Sequence, residues 1–322
     1  VRDLVVAALA EARHTGWDGL LAAQREYLDD FWDRADVELD GDLELQQAVR
    51  FAIFHTLQAG ARAEQRAIPA KGLSGPGYDG HTFWDAEAFV LPLLTYTVPD
   101  AAADALRWRW STLDLALERA QTLHLDGAAF PWRTIRGQEC SGYWPAGTAA
   151  FHINADIADA VRRYVAATGD TVFERDEGLA LLVETARLWR SLGHHDAEGR
   201  FRIDGVTGPD EYTSIADNNV YTNLMAARNL RNAAALATRH PKHAAALGVV
   251  MFSLSDRLIW HATEAKQYSG DVFVAVVLLL CAFPSCNAAP RSATSAKSAC
   301  RRARLYAARS ASPRRPHVTT VR

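Results

Sequence analysis

Apolar and polar positions alternate with a helical period along most of this chain. The stretch DLELQQAVRFAIFHTLQAG, residues 42–60, opens with Asp42, a residue type that commonly caps a helix N-terminus. Behind it, apolar side chains recur three or four positions apart and form one face of a predicted helix. The side chains at this spacing are Leu45, Val49, Phe51, Ala52, His55 and Leu57.

The same period predicts further helices, while strand-like alternation is scarce. The additional predicted helices cover residues 100–124, 148–170, 178–193 and 218–240. Gly169 and Gly193 stand just past two of their C-termini, where glycine is favoured. Only residues 200–206, RFRIDGV, resemble a short strand. We predict an all-α fold. A bundle, a solenoid or a closed α/α toroid would fit, although the absence of a fixed-period repeat disfavours a simple solenoid.

The composition gives no indication of a nucleic-acid or membrane partner. The 322 residues are 49% apolar and 23% charged with a net charge of −3, which is typical of a globular protein and gives no reason to expect a nucleic-acid partner. The longest apolar run, Val272–Phe283, has twelve residues, whereas a membrane-spanning helix needs about 20. The N-terminus shows no cleavage signature. We therefore expect neither a membrane partner nor a signal peptide.

No motif indicates a metal or a nucleotide cofactor. Cys140, Cys281, Cys286 and Cys300 lack the spacing of metal ligands, and no glycine-rich phosphate-binding motif is present. We predict no metal and no cofactor. Few cysteines without a disulfide pattern favour a reduced, cytoplasmic setting.

The C-terminal segment, residues 284–322, has a different composition. No acidic residue follows Asp271, and nine Lys and Arg residues lie between Arg291 and Arg322. One interpretation is a basic arm that binds nucleic acid. The interpretation we favour is a low-complexity, disordered tail, because the segment has no helical period.

Two loops between the predicted helices concentrate side chains that suit a sugar. GYDGHTFWDAE, residues 77–87, and FPWRTIRGQECSGYWPAG, residues 130–147, combine aromatic faces for sugar C–H groups with carboxylates and arginine for hydroxyls. A carbohydrate pocket and an ordinary packed core with polar loops are equally good interpretations here. Trp108, Trp110 and Trp189 lie at helical spacing and are predicted to pack in the core. The pocket candidates are His81, Trp84, Asp85, Arg133, Glu139, Tyr143 and His152.

The turn GVTGPDEYTS, residues 205–214, supplies a candidate general acid. A glycosidic oxygen leaves readily only when it is protonated, so a carboxyl must hold its proton near neutral pH. Glu211 follows Asp210, and like charge together with burial would raise its pKa. The alternative is that Asp210 caps the next helix and Glu211 is a solvated acid in its first turn.

Three long motifs give the chain a recognisable resemblance. They are AKGLSGPGYDGHTFWDAE, FPWRTIRGQECSGYWPAGTAAFHINADIADAVRRYV and GVTGPDEYTSIADNNVYTNLMAARNLRNAA, and they lie within residues 10–245. With these motifs the sequence resembles glycoside hydrolase family 65, the inverting phosphorylases of trehalose, maltose and kojibiose, with acid trehalases as hydrolytic relatives. This resemblance favours the sugar pocket and the catalytic interpretation of Glu211.

The resemblance implies an architecture and a set of roles. It implies a helical linker over residues 1–41, part of an (α/α)₆ toroid over 42–283 and the tail over 284–322. Glu211 matches the family's general acid, and Trp84 and Asp85 match residues that hold the glucosyl unit. Lys266 and Gln267 match a sugar-contacting pair less well, because the residues after them differ from the family pattern. His81, Arg133, Glu139, Tyr143 and His152 lie in matching pocket segments without an assigned role.

The implied reaction is phosphorolysis with inversion. Inorganic phosphate, as co-substrate, attacks the anomeric carbon of an α-glucosyl disaccharide, trehalose being the first choice, and yields β-glucose 1-phosphate and a sugar. A hydrolase would need a second carboxylate to activate water. A hydrolase of the same family and a non-catalytic carbohydrate-binding or structural α/α domain are the alternatives. A homodimeric parent enzyme is one interpretation, and the sequence leaves the oligomeric state open.

The chain departs from the family pattern at both ends. The resemblance implies an N-terminal β-sandwich that the sequence lacks, and nothing after about residue 283 matches the family's last helices and phosphate-binding loop. We therefore expect a truncated or frameshifted fragment that keeps the acid and part of the sugar site, with little or no activity.

Overall fold

The computed structural model of the protein describes a largely helical chain that divides into two units. The described residues are 2–60, 65–210, 214–247 and 319–321. The first unit comprises Val1–Arg50 with Gln267–Arg322, and the second comprises Phe51–Lys266. The all-α class predicted from the sequence is confirmed. The predicted boundaries at residues 41/42 and 283/284 stay predictions.

Eleven helices are present among the described residues, and most belong to the second unit. In chain order they are α1 (Arg2–Ala35), α2 (Leu43–Gly60), α3 (Leu91–Thr97), α4 (Pro99–Ser111), α5 (Leu113–Thr122), α6 (Trp144–Ala149), α7 (His152–Thr168), α8 (Thr171–Phe173), α9 (Leu179–Leu192), α10 (Val220–Arg239) and α11 (Pro241–Ala246). A 3₁₀ turn at Gly77–Gly80 and π-helical turns at Ala86–Val90 and Glu174–Gly178 complete the helical segments of the described chain.

The strands are short and form two pairs. Strand β1 (Val37–Leu39) pairs in parallel with β4 (Thr319–Val321), and β2 (His194–His195) pairs antiparallel with β3 (Phe201–Arg202). Strand β3 confirms the short strand predicted within 200–206. Strand β4 lies within the segment predicted to be disordered, and the rest of that segment lies outside the described residues.

In the first unit, a glutamine side chain joins α2 to the strand before it. Gln46 accepts a hydrogen bond from the Leu39 amide at 2.7 Å and donates one to the Val37 carbonyl at 2.8 Å. Helix α1 is interrupted at Gly16, whose φ of 69° is a left-handed value that glycine adopts without steric cost. This glycine therefore sets the bend in an otherwise continuous helix.

Helix α7 is the centre of the core in the second unit. It packs against α3, α4, α9 and α10, and most of its residues from His152 to Val161 are buried. Many of these positions are alanine, which allows neighbouring helices to approach closely. The helix ends at Gly169 in the left-handed conformation with φ of 72°, as the sequence predicts. Three polar residues on the buried part of α7, Asn154, Asp156 and Asp159, all have hydrogen-bond partners.

The predicted helix boundaries hold where the apolar period is uninterrupted. Helix α2 begins at Leu43, and the Asp42 carboxylate accepts the Leu45 amide at 3.0 Å, as expected of a cap. The single helix predicted over 100–124 is wrong, because the chain breaks at Thr112. The Thr112 hydroxyl donates to the Arg109 carbonyl and competes with the helical ladder. The predicted 148–170 helix likewise begins only at His152, after the separate α6.

The predicted burial of three tryptophans is partly wrong. Trp189 is fully buried and donates from Nε1 to Asn229 Oδ1 at 2.9 Å, and Trp108 is partly buried. Trp110, in contrast, is 43% exposed, whereas the neighbouring Arg109 is completely buried. One position along a helix rotates a side chain by about 100°, so α4 directs the arginine inward and this tryptophan toward solvent.

Candidate functional site

The two loops predicted to form the pocket are hydrogen-bonded side by side. Thr82 and Thr134 exchange backbone hydrogen bonds of 2.8 and 3.1 Å. Beside them, the Phe83 and Trp132 rings meet edge to face with centroids 5.0 Å apart. These contacts bring the segment with His81, Trp84 and Asp85 next to the segment with Arg133, although about fifty residues separate them in sequence.

Trp84 and Asp85 lie at the start of the π-helical turn Ala86–Val90. Trp84 is half-buried and packs against the main core. Asp85 is open to solvent on one side. Partial burial by the surrounding protein raises the pKa of the Asp85 carboxyl, while a backbone hydrogen bond and the His152 ring act to lower it. An aromatic face beside a partly desolvated carboxyl suits a sugar that offers both C–H groups and hydroxyls.

A buried polar network stands against the Trp84 indole. His152 meets Trp84 edge to face at 4.9 Å between centroids, and Tyr221 lies 6.2 Å from the same ring. Below these rings, Asp156 accepts a hydrogen bond from His152 Nδ1 at 2.8 Å and one from the Tyr221 hydroxyl at 2.7 Å. His152 and Asp156 are almost completely buried. Burial and the negative charge of Asp156 raise the pKa of Tyr221, which keeps its hydroxyl protonated.

Glu139 organises the second pocket loop. Its carboxylate oxygens accept the backbone amides of Trp132 at 2.6 Å and Ser141 at 2.9 Å. Arg119 approaches the same carboxylate at 3.5 Å and also donates to the Gly147 carbonyl at 2.5 Å. These contacts fold residues 130–147 into a closed loop. The predicted contact between Glu139 and a substrate stays a prediction.

Arg133 and His81 lie next to each other where the two loops meet. His81 Nδ1 is 2.8 Å from the Tyr78 carbonyl, which can only accept, so this nitrogen carries the proton. Arg133 Nη2, at 3.3 Å from the same nitrogen, is therefore in contact but not hydrogen-bonded to it. The Arg133 guanidinium also lies 3.6 Å from Asp79 and 5.9 Å from the centre of the Phe83 ring. Its Nε is buried and has no hydrogen-bond partner among the described residues.

The turn that carries the candidate acid is anchored on both sides. Val206 and Ala216 form an antiparallel bridge, and the Thr207 amide donates to the Ala149 carbonyl at 2.9 Å. Tyr143, which is exposed, places its hydroxyl 3.5 Å from Ser214 Oγ. The base of the turn thus lies beside α6 and the second pocket loop. Glu211 itself, like Lys266 and Gln267, lies outside the described residues, so its position above a glycosidic bond stays a prediction.

The alternative role considered for Asp210 is wrong. Helix α10 begins at Val220, ten residues beyond Asp210, and Asn219 is its cap, accepting the Thr222 amide at 3.1 Å. Asp210 therefore does not cap this helix.

Three residues of the site were absent from the sequence prediction. Asp156 follows His152 by four positions on the same helix, a spacing that places two side chains on one face and could have revealed the pair. Tyr221 lies within the third motif, in NNVYTN, and could have been suspected from it. Arg119 carries no comparable signal, because folding alone brings it to three backbone carbonyls and to the Glu139 carboxylate.

Within the part of the chain that the structure describes, no group of three or more His, Cys, Asp or Glu side chains is arranged to hold a metal ion. No helix in that part has the length and apolar character needed to cross a membrane.

The described helices present aromatic and acidic side chains on the loops between them. The sequence model for the glycosyl hydrolase family 65 central catalytic domain matches residues 50–268. The chain therefore belongs to glycosyl hydrolase family 65.

Individual relatives agree with this assignment. The chain is 68% identical to an "Uncharacterized glycosyl hydrolase" of Mycobacterium tuberculosis (strain ATCC 25618 / H37Rv). The matched stretch is 249 residues long and covers 77% of this chain and 32% of that protein. The chain is 52% identical over 229 residues to an α,α-trehalose phosphorylase of Geobacillus stearothermophilus, covering 71% and 30% of the two chains. It thus spans about a third of the length of these relatives.

A solved structure has the same fold. It is described as "Putative kojibiose phosphorylase from human microbiome" and is 28% identical, with a TM-score of 0.73 over 84% of this chain and 37% of that one. Together with the family match, this similarity confirms the α/α toroid class predicted from the sequence. The described helices form part of that architecture.

Proposed function

We propose that this chain carries the sugar site of an inverting glycoside phosphorylase that cleaves an α-glucosyl disaccharide. The observation that supports this most strongly is the 52% identity to an α,α-trehalose phosphorylase, over a span that includes most of the pocket. Trehalose is therefore the first substrate to test. Kojibiose follows, because the structural relative is described as acting on it, and maltose is a third choice.

In this proposal the glucosyl unit rests on Trp84 and hydrogen-bonds to Asp85. The half-buried indole offers a flat apolar face, and the partly desolvated carboxyl beside it accepts hydroxyl protons. A hydrogen bond to a charged acceptor is stronger than one between neutral groups. The pair would thus fix both the plane and the rotation of the ring. In the same proposal, Arg133 and Tyr143 contact the leaving sugar or the phosphate.

Glu211 acts as the general acid. Its carboxyl proton passes to the glycosidic oxygen as the bond from that oxygen to the anomeric carbon breaks. A phosphate oxygen forms the new bond to the same carbon from the opposite face, so the α-linkage becomes β-glucose 1-phosphate. The second sugar leaves as a neutral alcohol. Phosphate is already nucleophilic, and one protein carboxyl therefore suffices, with no cofactor.

The test is to incubate the chain with each disaccharide, with and without phosphate, and to measure β-glucose 1-phosphate and glucose separately. Because the chain spans about a third of these relatives, we expect β-glucose 1-phosphate to form only slowly, but in a phosphate-dependent way. Glu211→Gln should reduce this rate about a hundredfold or more, since general-acid catalysis contributes roughly that factor. Glu198→Gln, an exposed acid on the β2–β3 connection, is the matched control and should retain the activity.

The other outcomes identify the alternatives. Release of glucose that does not require phosphate would indicate a hydrolase. Sugar binding without turnover, unchanged in Glu211→Gln, would indicate a non-catalytic sugar-binding domain. Either result would overturn the phosphorylase proposal.

A further inference from the structure

The carboxylate of Asp156 accepts hydrogen bonds from two aromatic side chains. Its side chain is buried, and each oxygen accepts one hydrogen bond, Oδ2 from His152 and Oδ1 from Tyr221. A buried charge is costly unless such partners satisfy it. Asp156 therefore acts on its surroundings through these two side chains.

The two hydrogen bonds determine how the partner rings are oriented. Because a carboxylate only accepts, the proton of His152 is on Nδ1, and the ring cannot rotate without losing this bond. The Tyr221 hydroxyl must likewise direct its proton toward Asp156. The two rings meet nearly at right angles, with an interplanar angle of 81° and centroids 5.7 Å apart.

Both oriented rings contact Trp84. His152 meets the indole at an angle of 84°, which is the favourable edge-to-face geometry, and Tyr221 lies at 59°. Trp84 also contacts Phe89, with ring centroids 5.7 Å apart. The indole thus has little freedom to rotate as long as His152 and Tyr221 keep their places.

We propose that Asp156 is a positioning residue of the glucosyl subsite: it holds His152 and Tyr221 against Trp84 and thereby fixes the indole face on which the sugar packs. This inference rests on the proposed function, because it assigns a purpose to the fixed indole. It predicts that, at temperatures where the fold is intact, loss of the carboxylate makes Trp84 more mobile. The more mobile indole should then bind sugar less tightly.

The experiment compares Asp156→Asn, which keeps the shape but not the charge, and Tyr221→Phe, which removes one hydroxyl. The first measurement is near-ultraviolet circular dichroism of the full chain, in which the Trp84 band is defined as the difference between wild type and Trp84→Phe. The second is calorimetric titration with glucose. We expect the Trp84 band to weaken in both variants and the glucose affinity to fall about tenfold in Asp156→Asn.

Glu174→Gln is the matched control, because it removes another buried carboxylate held by two partners, Arg239 and His240. It should lower stability without changing the Trp84 band or the glucose affinity. An unchanged Trp84 band, or wild-type glucose affinity in both test variants, would overturn the positioning role. If Asp156→Asn does not fold, Tyr221→Phe decides. Failure of the wild-type chain to bind glucose would instead overturn the proposed function, so the two ideas fail separately.

Discussion

The folded protein disfavours the ionised form of Asp85. Partial burial raises its pKa, and neither the backbone hydrogen bond nor His152 fully compensates. Sites that bind or react commonly keep such groups, because a desolvated charge interacts more strongly with a ligand than a hydrated one. At the scale of single residues, function and stability therefore make opposite demands on this position.

Replacing Asp85 by Asn should change stability and glucose affinity in opposite directions. A carboxyl with a raised folded-state pKa destabilises the fold when it is ionised, so we expect a higher free energy of unfolding at pH 7 in Asp85→Asn. The gain should disappear as the pH falls below the ordinary aspartate range, where the carboxyl is protonated in both states. Glucose affinity should fall at least about tenfold with the lost charge. Denaturant unfolding across pH and calorimetric titration measure the two effects.

The control for this variant is Asp29→Asn, on the exposed surface of α1. It should leave both the unfolding free energy and glucose binding near their wild-type values, since exposed charges contribute little. A destabilised Asp85→Asn protein at pH 7 would show that the carboxylate makes favourable contacts that the structure does not contain.

At the scale of elements, an ion pair between α4 and the pocket turn holds the tryptophan segment in place. Arg109 donates to both carboxylate oxygens of Glu87, at 2.6 and 3.0 Å, and reaches the Phe83 carbonyl at 3.4 Å. Arg109 and Glu87 are almost completely buried. The guanidinium thus joins both ends of the Phe83–Glu87 segment, which contains Trp84 and Asp85.

Removing only Arg109 from this ion pair should strongly destabilise the protein. Arg109→Met leaves the Glu87 carboxylate buried without its partner, and we expect a loss of about 3–5 kcal/mol in unfolding free energy. The double variant Arg109→Met/Glu87→Leu should lose less, because no unpaired charge remains. Arg107→Met on the same helix, whose ion pairs are partly exposed, should cost about 0–1 kcal/mol. If the double variant is as unstable as Arg109→Met, the ion pair itself is not the source of the stability.

Helix α4 also shows what could not be predicted from the sequence. Helices α2 and α9 begin and end within one residue of their predicted bounds, because the apolar period and the caps are local signals. The inward direction of Arg109 could not be predicted, since a polar residue in a helix is ordinarily assigned to the solvent face. Its partner Glu87 lies 22 positions away, and only the folded chain brings them together.

At the scale of the whole molecule, the sequence predicted which loops carry the candidate site but not the residues that support them. The motifs indicated the two loops, and the structure brings His81, Trp84 and Arg133 together as a pocket would require. The network beneath Trp84 depends on α7 and α10 packing side by side, a tertiary contact with no sequence period of its own. For this reason the aromatic surface could be anticipated, while its support by Asp156 could not.

Two glutamates in one π-helical turn have pKa values shifted in opposite directions, and this should be visible in the pH dependence of stability. In the π-helical turn Glu174–Gly178, burial alone would raise the pKa of Glu174, but hydrogen bonds from Arg239 and His240 outweigh it and lower the pKa. Three residues on, burial raises the pKa of Glu177, and Arg107 at 3.6 Å offsets this only in part. Neighbouring acids of one type therefore contribute to stability with opposite sign.

We expect Glu174→Gln to lower the unfolding free energy at pH 7 by about 1–2 kcal/mol, allowing for the exposure of Arg239. A lowered folded-state pKa gives stability that is present above the ordinary value of 4.5 and is lost as the pH falls through the folded value, so the deficit should shrink in acid. Glu177→Gln should be more stable than wild type at pH 7, with an advantage that disappears below 4.5. Urea unfolding from pH 7 to pH 3 measures both differences. Because the two variants remove the same charge from the same turn, a shared sign at pH 7 would mean that net charge, and not the local partners of each carboxyl, governs the acid stability of the protein.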